Sequence, residues 1–176
     1  MLPEKHLRDM ESSRKRRKTL SRIVVSSAFL ASFLFLGQLL HELSHIIPLE
    51  AVDCSYSFSY GFSPLGGAHA LVQPLCSPDP GFLMFFYPAG YLSTLAAGWG
   101  FLLFSRKQEG FRSDLLAASG TGMLMSILLS IGSEGDIESF LDVTGLDSSL
   151  AAPVSLLVVM LVLAVSFSGI KIVLED

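Results

Sequence analysis

The chain has 176 residues, of which 51% are hydrophobic, and a formal net charge of -4 at pH 7. Its mean hydropathy is +0.56, and its apolar residues come in long blocks, which excludes an ordinary soluble domain. The basic run at residues 14–18 adjoins the first apolar block. Next to a membrane span it is better explained as a topology signal than as a nucleic-acid patch, so we expect a lipid bilayer as partner and no nucleic acid.

Four apolar blocks are long enough to cross a hydrocarbon core of about 30 Å, which takes roughly 20 residues. They cover residues 23–47, 82–104, 115–131 and 150–170. We therefore predict an all-α integral membrane fold with four transmembrane helices in residues 23–176. A basic, mobile or interfacial segment at residues 1–22 precedes them, and Pro48 is predicted to end the first helix.

All twelve Lys and Arg residues fall on one side of this four-span arrangement. Eight precede the first block, three lie between the second and third blocks, and Lys171 follows the fourth. The positive-inside rule then predicts that both termini are cytoplasmic.

The first block ends in the stretch His41-Glu42-Leu43-Ser44-His45, an HExxH motif. Positions four apart share one helix face, so His41 and His45 can direct their imidazoles at one point, as two zinc ligands do. Glu42 lies about 100° round the helix, where it can take a proton from a water activated by the metal. Two hydrogen-bonded core histidines are the alternative, but ionisable side chains inside a membrane span mark a functional site.

The motif lies near the predicted non-cytoplasmic end of the first span, and Gln38 shares its face, three residues before His41. Gln38 is a candidate to orient a metal ligand or to contact substrate. A simple interhelical hydrogen bond is the alternative.

A β-hairpin is predicted after the first span, because Tyr56, Phe58 and Tyr60 alternate with serine and turn residues follow at 64–67. A strand edge beside a metal can hold an extended peptide by strand addition, and a plain cap over the outer face is the alternative. Cys54 and Cys76 bracket the hairpin, which suggests a disulfide in an oxidising compartment. Cysteine ligation of zinc is disfavoured, because neither belongs to a Cys-x-x-Cys pair.

The segment after the third block, residues 131–142, returns by topology to the membrane face of the HExxH motif. A catalytic zinc takes three protein ligands, and a carboxylate is an accepted third. We choose Asp136, because Gly135 before it allows close backbone approach and apolar residues after it can pack against the membrane. Rival ligands are Glu134, Glu138, Asp142 and, more weakly, His69. A solvated acidic loop is the alternative to a site.

At these residues the chain resembles the site-2 protease family of intramembrane zinc metalloproteases, over about residues 23–140. That family has HExxH on one core helix, then a membrane-associated β-hairpin, a Gly-rich helix and a ligand Asp on a third helix. The stretch from Ala89 to Ser93 is loosely similar to the Gly-rich motif, and Gly135-Asp136 to the Asp motif. The resemblance supports zinc binding by His41, His45 and Asp136, and makes Ser93 a candidate to orient a ligand or contact substrate.

We therefore expect an intramembrane zinc metalloprotease that cleaves membrane-spanning or membrane-adjacent segments of a protein or peptide, with Glu42 as general base. The alternative is a non-catalytic metal-binding membrane protein, such as a transporter subunit or a degenerate protease that acts as a binding partner. Glu42 favours catalysis, because holding a metal does not require a general base.

Overall fold

The structure, a computed structural model, describes residues 4–63, 67–133 and 136–175. In these ranges the chain is mostly helical. The elements in order are α1 (Glu4–Ala51), β1 (Tyr56–Ser63), β2 (Gly67–Pro74), α2 (Pro80–Ser105), α3 (Phe111–Ser133), α4 (Asp136–Thr144) and α5 (Ala151–Glu175). A single 3₁₀ turn at Ser148–Leu150 precedes α5 in the described part of the chain. The predicted helical fold with a hairpin after the first helix is confirmed.

The first helix, α1, is longer at both ends than the apolar block predicted. It has 48 residues and, at 1.5 Å per residue, is roughly 72 Å long, more than twice the thickness of a hydrocarbon core of about 30 Å. The basic segment from Glu4 onward is therefore a helical extension of the first span. The prediction that Pro48 ends the helix is wrong, because α1 continues to Ala51. Pro48 lies in the last turn, where its missing N–H removes one hydrogen bond, to the carbonyl of Ser44, and little helix follows it.

Three helices in the described ranges are long and apolar enough to cross a membrane. They are Ser12–Ala51 in α1, Phe111–Ile131 in α3 and Ala151–Ser168 in α5. The helix α2 coincides with the predicted second span and has 26 residues, but it is not one of the three. Glycine, serine, threonine and tyrosine residues interrupt its apolar sequence. Three of the four predicted spans, the first, third and fourth, thus correspond to helices that are long and apolar enough to cross a membrane.

The central helix is α3, which packs against α1, α2 and α5. Glycines bring the helix backbones close at two crossings. A Cβ on Gly122 would collide with the carbonyl of Leu30 in α1, and a Cβ on Gly120 would lie 2.7 Å from the carbonyl oxygen of Gly98 in α2. Small residues at such crossings allow membrane helices to approach closely. Through these two crossings α3 holds α1 and α2 beside each other.

The helices α1 and α2 face each other in a regular antiparallel register. Facing pairs recur once per helical turn: Gly37 with Thr94, His41 with Gly90, and His45 with Phe86. The first pair is joined by a hydrogen bond of 3.4 Å from the Thr94 hydroxyl to the Gly37 carbonyl. A repeat of four residues on each helix is about one turn, so one face of α2 lies along the whole HExxH motif.

The hairpin pairs β1 with β2 in antiparallel fashion, with Phe58 opposite Val72. Its predicted turn includes residues 64–66, which lie outside the described residues. The strand β2 packs against α1, and a disulfide joins Cys54 to Cys76 at the base of the hairpin, with 5.6 Å between the Cα atoms. The hairpin is therefore held at its base and along β2.

Candidate metal centre

The ionisable side chains of the HExxH motif are buried together on α1. His41 is 0% exposed, Glu42 2% and His45 2%, and the two imidazole ring centroids lie 5.1 Å apart. One possible ligand atom from each of the three residues lies within 4.8 Å of the others. Burying such groups is costly unless they are paired or coordinate a metal. His41, Glu42 and His45 therefore form a group that could hold a metal ion.

Asp136, the first residue of α4, brings a carboxylate to both imidazoles. Its Oδ2 atom lies 3.1 Å from Nε2 of His41 and 3.2 Å from Nε2 of His45. Burial raises the pKa of the Asp136 carboxyl, but hydrogen bonds and charges of the two histidines together outweigh burial and hold the pKa below its ordinary value. The structure thus places an anion against both Nε2 atoms, although the residues are far apart in the chain.

The outer half of α2 orients the two imidazoles. The Nδ1–H of His45 donates to the carbonyl of Phe86 over 2.8 Å, so Nδ1 carries the proton and Nε2 is directed into the site. Gly90 lies against His41, and a Cβ there would lie 2.5 Å from Nε2. The ring of Tyr91 meets the His41 ring edge-on, with 4.6 Å between centroids. These contacts leave little freedom for either imidazole to turn.

Glu42 contacts the hairpin. Its Oε2 accepts a hydrogen bond of 2.9 Å from the backbone N–H of Val72 in β2, and Val72 is itself 5% exposed. The carboxylate that contacts both imidazoles is therefore that of Asp136, while the Glu42 carboxylate links the HExxH motif to β2.

The rival third ligands are in different positions. Glu138 and Asp142 are exposed on α4, whereas the ionisable side chains of the motif are buried. Glu134 and Gly135 lie outside the described residues. His69 is in β2, but its side chain is outside the described part of the structure. Among the candidate carboxylates that are described, Asp136 is the one in contact with His41 and His45.

Gln38 and Ser93 both lie next to the motif, in different roles. Gln38 is buried at 4% exposure, and its Oε1 has no hydrogen-bond partner in the described part of the chain. The Ser93 hydroxyl oxygen lies 2.6 Å from that of Ser44 and 2.9 Å from the carbonyl oxygen of Gly90. Ser93 thus ties α2 to α1 beside the site. That either residue orients a ligand or contacts substrate stays a prediction.

Sequence reasoning missed three parts of the site: the Phe86 carbonyl, the close approach of Gly90 to His41, and the Val72 N–H. One signal could have pointed to the first two, since Phe86 and Gly90 are four residues apart, as are His41 and His45. Two antiparallel helices in contact match such spacings turn by turn. The Val72 N–H has no counterpart in the sequence pattern, because every residue except proline offers a backbone N–H.

The chain shows no significant similarity to any described protein family, to any curated protein or to any solved structure. Its fold and site define a helical protein with apolar helices of membrane-spanning length and a buried His-Glu-His group that could hold a metal. A functional conclusion rests on that chemistry.

Proposed function

We propose that the protein is an intramembrane zinc metalloprotease that hydrolyses peptide bonds in membrane-spanning or membrane-adjacent segments. One observation carries the proposal: a single carboxylate oxygen of Asp136 contacts Nε2 of both His41 and His45. Glu42, next to His41, adds the acid–base group that hydrolysis needs and that metal storage does not.

The donor set supports zinc as the metal, because two imidazoles and a carboxylate are ligands that zinc commonly takes. The distances from Asp136 Oδ2 to the two Nε2 atoms, 3.1 and 3.2 Å, are hydrogen-bond distances, short enough that one ion could bind all three atoms. The hydrogen bond from His45 Nδ1–H to the Phe86 carbonyl is the outer contact that zinc-binding histidines usually make. Three protein ligands of this kind are the number that a catalytic zinc site would take from His41, His45 and Asp136.

Each residue has a separate role in the proposed reaction. His41, His45 and Asp136 would hold the metal, and Phe86 and Gly90 keep the imidazoles aligned. The chemistry supplied there by zinc would be polarisation of the scissile carbonyl and a lower pKa of water, toward about 7. Glu42 takes a proton from the attacking water and passes it to the leaving amine. The hairpin holds the substrate in extended form, because helical peptide bonds are shielded from attack.

The proposed orientation places both termini in the cytoplasm and the metal centre toward the other side of the membrane. It rests on the one-sided distribution of Lys and Arg along the chain. The disulfide between Cys54 and Cys76 supports it, because disulfides persist on the oxidising side of a membrane.

A non-catalytic metal-binding protein is the second candidate, and one contact favours it. The Glu42 carboxylate is hydrogen-bonded to the Val72 N–H, so this side chain also has a structural role in joining α1 to β2. A protein that had lost proteolysis could keep Glu42 for that contact alone.

The experiment compares zinc content with cleavage of an unfolded membrane substrate, using purified protein in detergent. Asp136→Asn should lower zinc affinity about 100-fold or more and abolish cleavage with it. Glu42→Gln should keep the zinc and reduce turnover by about 100-fold or more. Asp142→Asn is the matched control, because it removes an exposed carboxylate from the same helix, and it should change neither property.

Three results would count against the proposal in different ways. Wild type that binds zinc and cleaves nothing would favour the non-catalytic candidate. Glu42→Gln with full turnover would remove Glu42 as the general base. Zinc binding that survives Asp136→Asn would overturn the ligand assignment.

A further inference from the structure

A cavity of about 350 Å³ lies between α2 and α5, toward the end of α2 that points away from the metal centre. The metal centre contacts α2 at Phe86 and Gly90, whereas the cavity begins at Trp99, more than two helical turns further along. Both helices pack on α3, and the residues that line the cavity come from α2, from α5 and from Arg106 just after α2. The proposed proteolysis makes no use of this cavity.

Most of the cavity wall is apolar and exposed. Its side chains include Trp99, which is 47% exposed, Leu103, which is 53% exposed, and Ala164, which is also exposed. Beside helices of membrane-spanning length, such a surface faces the hydrocarbon of the bilayer. A cavity of about 150 Å³ in a protein core is enough to bind benzene, so 350 Å³ has room for a longer stretch of an acyl chain.

A positive charge lies at one end of this apolar cavity. Arg106, at the C-terminus of α2, lines that end together with Ser168 of α5. Arg106 is exposed and makes no ion pair with any part of the chain that the structure describes. At 1.5 Å per residue, Trp99 lies roughly 10 Å from Arg106 along the helix, within one half of a hydrocarbon core of about 30 Å. The cavity thus reaches from the level of the headgroups into the acyl chains of one leaflet.

Further basic residues lie at the same end of the molecule. Lys107 and Arg112 follow in the connection to α3 and in its first turn, and Lys171 lies on α5, three residues after Ser168. In the proposed orientation this is the cytoplasmic end, where the leaflet contains anionic lipids. Basic pockets between membrane helices on that side bind the headgroups of such lipids.

We propose that the cavity is a binding site for one phospholipid with an anionic headgroup. Its acyl chain packs against Trp99 and Leu103, and its phosphate accepts hydrogen bonds from the Arg106 guanidinium, whose planar N–H groups match phosphate oxygens. A phosphatidylcholine offers the same phosphate but adds an ammonium cation, which the neighbouring basic residues disfavour. An apolar helix of another protein could fill the cavity but offers no anion to Arg106. The inference is independent of zinc and of proteolysis.

Trp99 is the only tryptophan of the chain, so its fluorescence reports on this cavity alone. The test reconstitutes the full chain in phosphatidylcholine vesicles and adds phosphatidylglycerol or phosphatidylcholine with brominated acyl chains, which quench a tryptophan that they contact. Brominated phosphatidylglycerol should bind at Trp99 about fivefold more strongly, the preference for anionic lipid expected from one basic residue at the membrane surface. The preference should fall as salt is raised, because exposed charges are screened. At matched ionic strength, inorganic phosphate should not displace the lipid, because it has no acyl chain.

Two variants with matched controls separate the headgroup contact from the hydrocarbon contact. Arg106→Gln should reduce the preference to less than about twofold, whereas Lys107→Gln removes the same charge from a residue that does not line the cavity and should keep the preference. Ala164→Phe should fill the cavity and reduce quenching by both lipids. Ala152→Phe, at the other end of α5, should leave quenching by both lipids unchanged. All four positions are exposed, where substitutions rarely disturb folding.

The inference is overturned if wild type binds the two lipids equally, or if Lys107→Gln lowers the preference as much as Arg106→Gln does. Displacement of the lipid by inorganic phosphate would also overturn it, because the site would then take a free anion. Absence of quenching by both lipids, or quenching that appears only when the protein is diluted in the bilayer, would show that another protein surface covers the cavity. Failure of the proposed function would leave these results unchanged, because the measurement needs neither zinc nor a protein substrate.

Discussion

At the scale of single residues, Gly90 is where the absence of a side chain makes room for His41, a proposed metal ligand. A Cβ there would lie 2.5 Å from Nε2 of His41, so Gly90→Ala should displace the His41 imidazole from its present position beside Asp136. We expect a loss of zinc affinity of at least about tenfold, as for other contacts that orient ligands, with a parallel loss of cleavage. Metal titration of the purified variant measures the first and substrate cleavage the second.

Gly100→Ala is the control for this substitution on the same helix. Nothing lies within 4 Å of a Cβ at Gly100, so alanine should leave zinc affinity unchanged. Because alanine is the better helix former, α2 should gain up to about 1 kcal/mol of stability, visible in thermal unfolding. Equal zinc affinities in the two variants would show that His41 does not depend on the space at Gly90.

The meeting of His41, His45 and Asp136 could be predicted from the sequence, while the groups that orient them could not. The HExxH motif places two histidines one helical turn apart. The distribution of Lys and Arg predicts a topology in which the acidic segment at residues 131–142 returns to the same membrane face, and Asp136 was chosen from that segment. The Phe86 carbonyl and the Val72 N–H are backbone groups that any residue could supply. Their roles follow from how α2 and β2 pack on α1, and that packing is a property of the whole fold.

At the scale of elements, the disulfide ties the hairpin to the end of α1. Replacing both Cys54 and Cys76 with serine should lower stability by about 3 kcal/mol, the value expected for closing a loop of this size. Because β2 carries the Val72 contact, cleavage should fall as well. Thermal unfolding in detergent measures the stability change, and wild type in reductant should behave like the double variant. An unchanged midpoint in both samples would contradict the prediction.

The helices α1 and α3 are also joined at the opposite end from the metal centre. Both Nε and Nη2 of Arg22 lie 2.7 Å from Oδ2 of Asp114, whose side chain is 2% exposed. Arg22→Met should cost about 2 to 3 kcal/mol, less than for a fully buried pair because the arginine is partly exposed. The double variant Arg22→Met with Asp114→Leu should recover most of this loss, since no buried charge remains.

Chemical unfolding in detergent measures the cost of breaking this ion pair. Arg17→Met, on an exposed part of the same helix, should stay within about 0.5 kcal/mol of wild type. If the single variant at Arg22 is as stable as wild type, the ion pair contributes little to the packing of α1 on α3.

Helix positions were predicted better than helix ends. Long apolar blocks correspond to α1, α2, α3 and α5, because burial in lipid or protein requires apolar length. The observed helix ends differ from the predicted ones because local sequence preferences compete with tertiary contacts. Pro48 is tolerated in the last turn of α1, and the basic N-terminal segment continues a helix that its composition did not require. For the short helix α4 the sequence predicted only apolar residues that can pack against the membrane, because nine residues carry little periodicity.

At the scale of the whole molecule, the proposed orientation gives a labelling prediction. In a background of Cys54→Ser with Cys76→Ser, a cysteine at Gln108, between α2 and α3, should react with an impermeant maleimide only from the cytoplasmic side. A cysteine at Ser149, before α5, should react only from the other side. Sealed vesicles of known orientation provide the measurement, and the reverse pattern would overturn the assignment of both termini to the cytoplasm.

The distance along the chain between His41 and Asp136, 95 residues, also has a consequence for biosynthesis. A ribosome that adds 5 to 20 residues per second needs about 5 to 20 s to pass from one to the other. During that interval the nascent chain exposes HExxH to the membrane without its carboxylate partner. Under the proposed function, an unfinished chain lacks a complete metal site and stays inert toward neighbouring proteins at the translocon until α3 has crossed and α4 has docked.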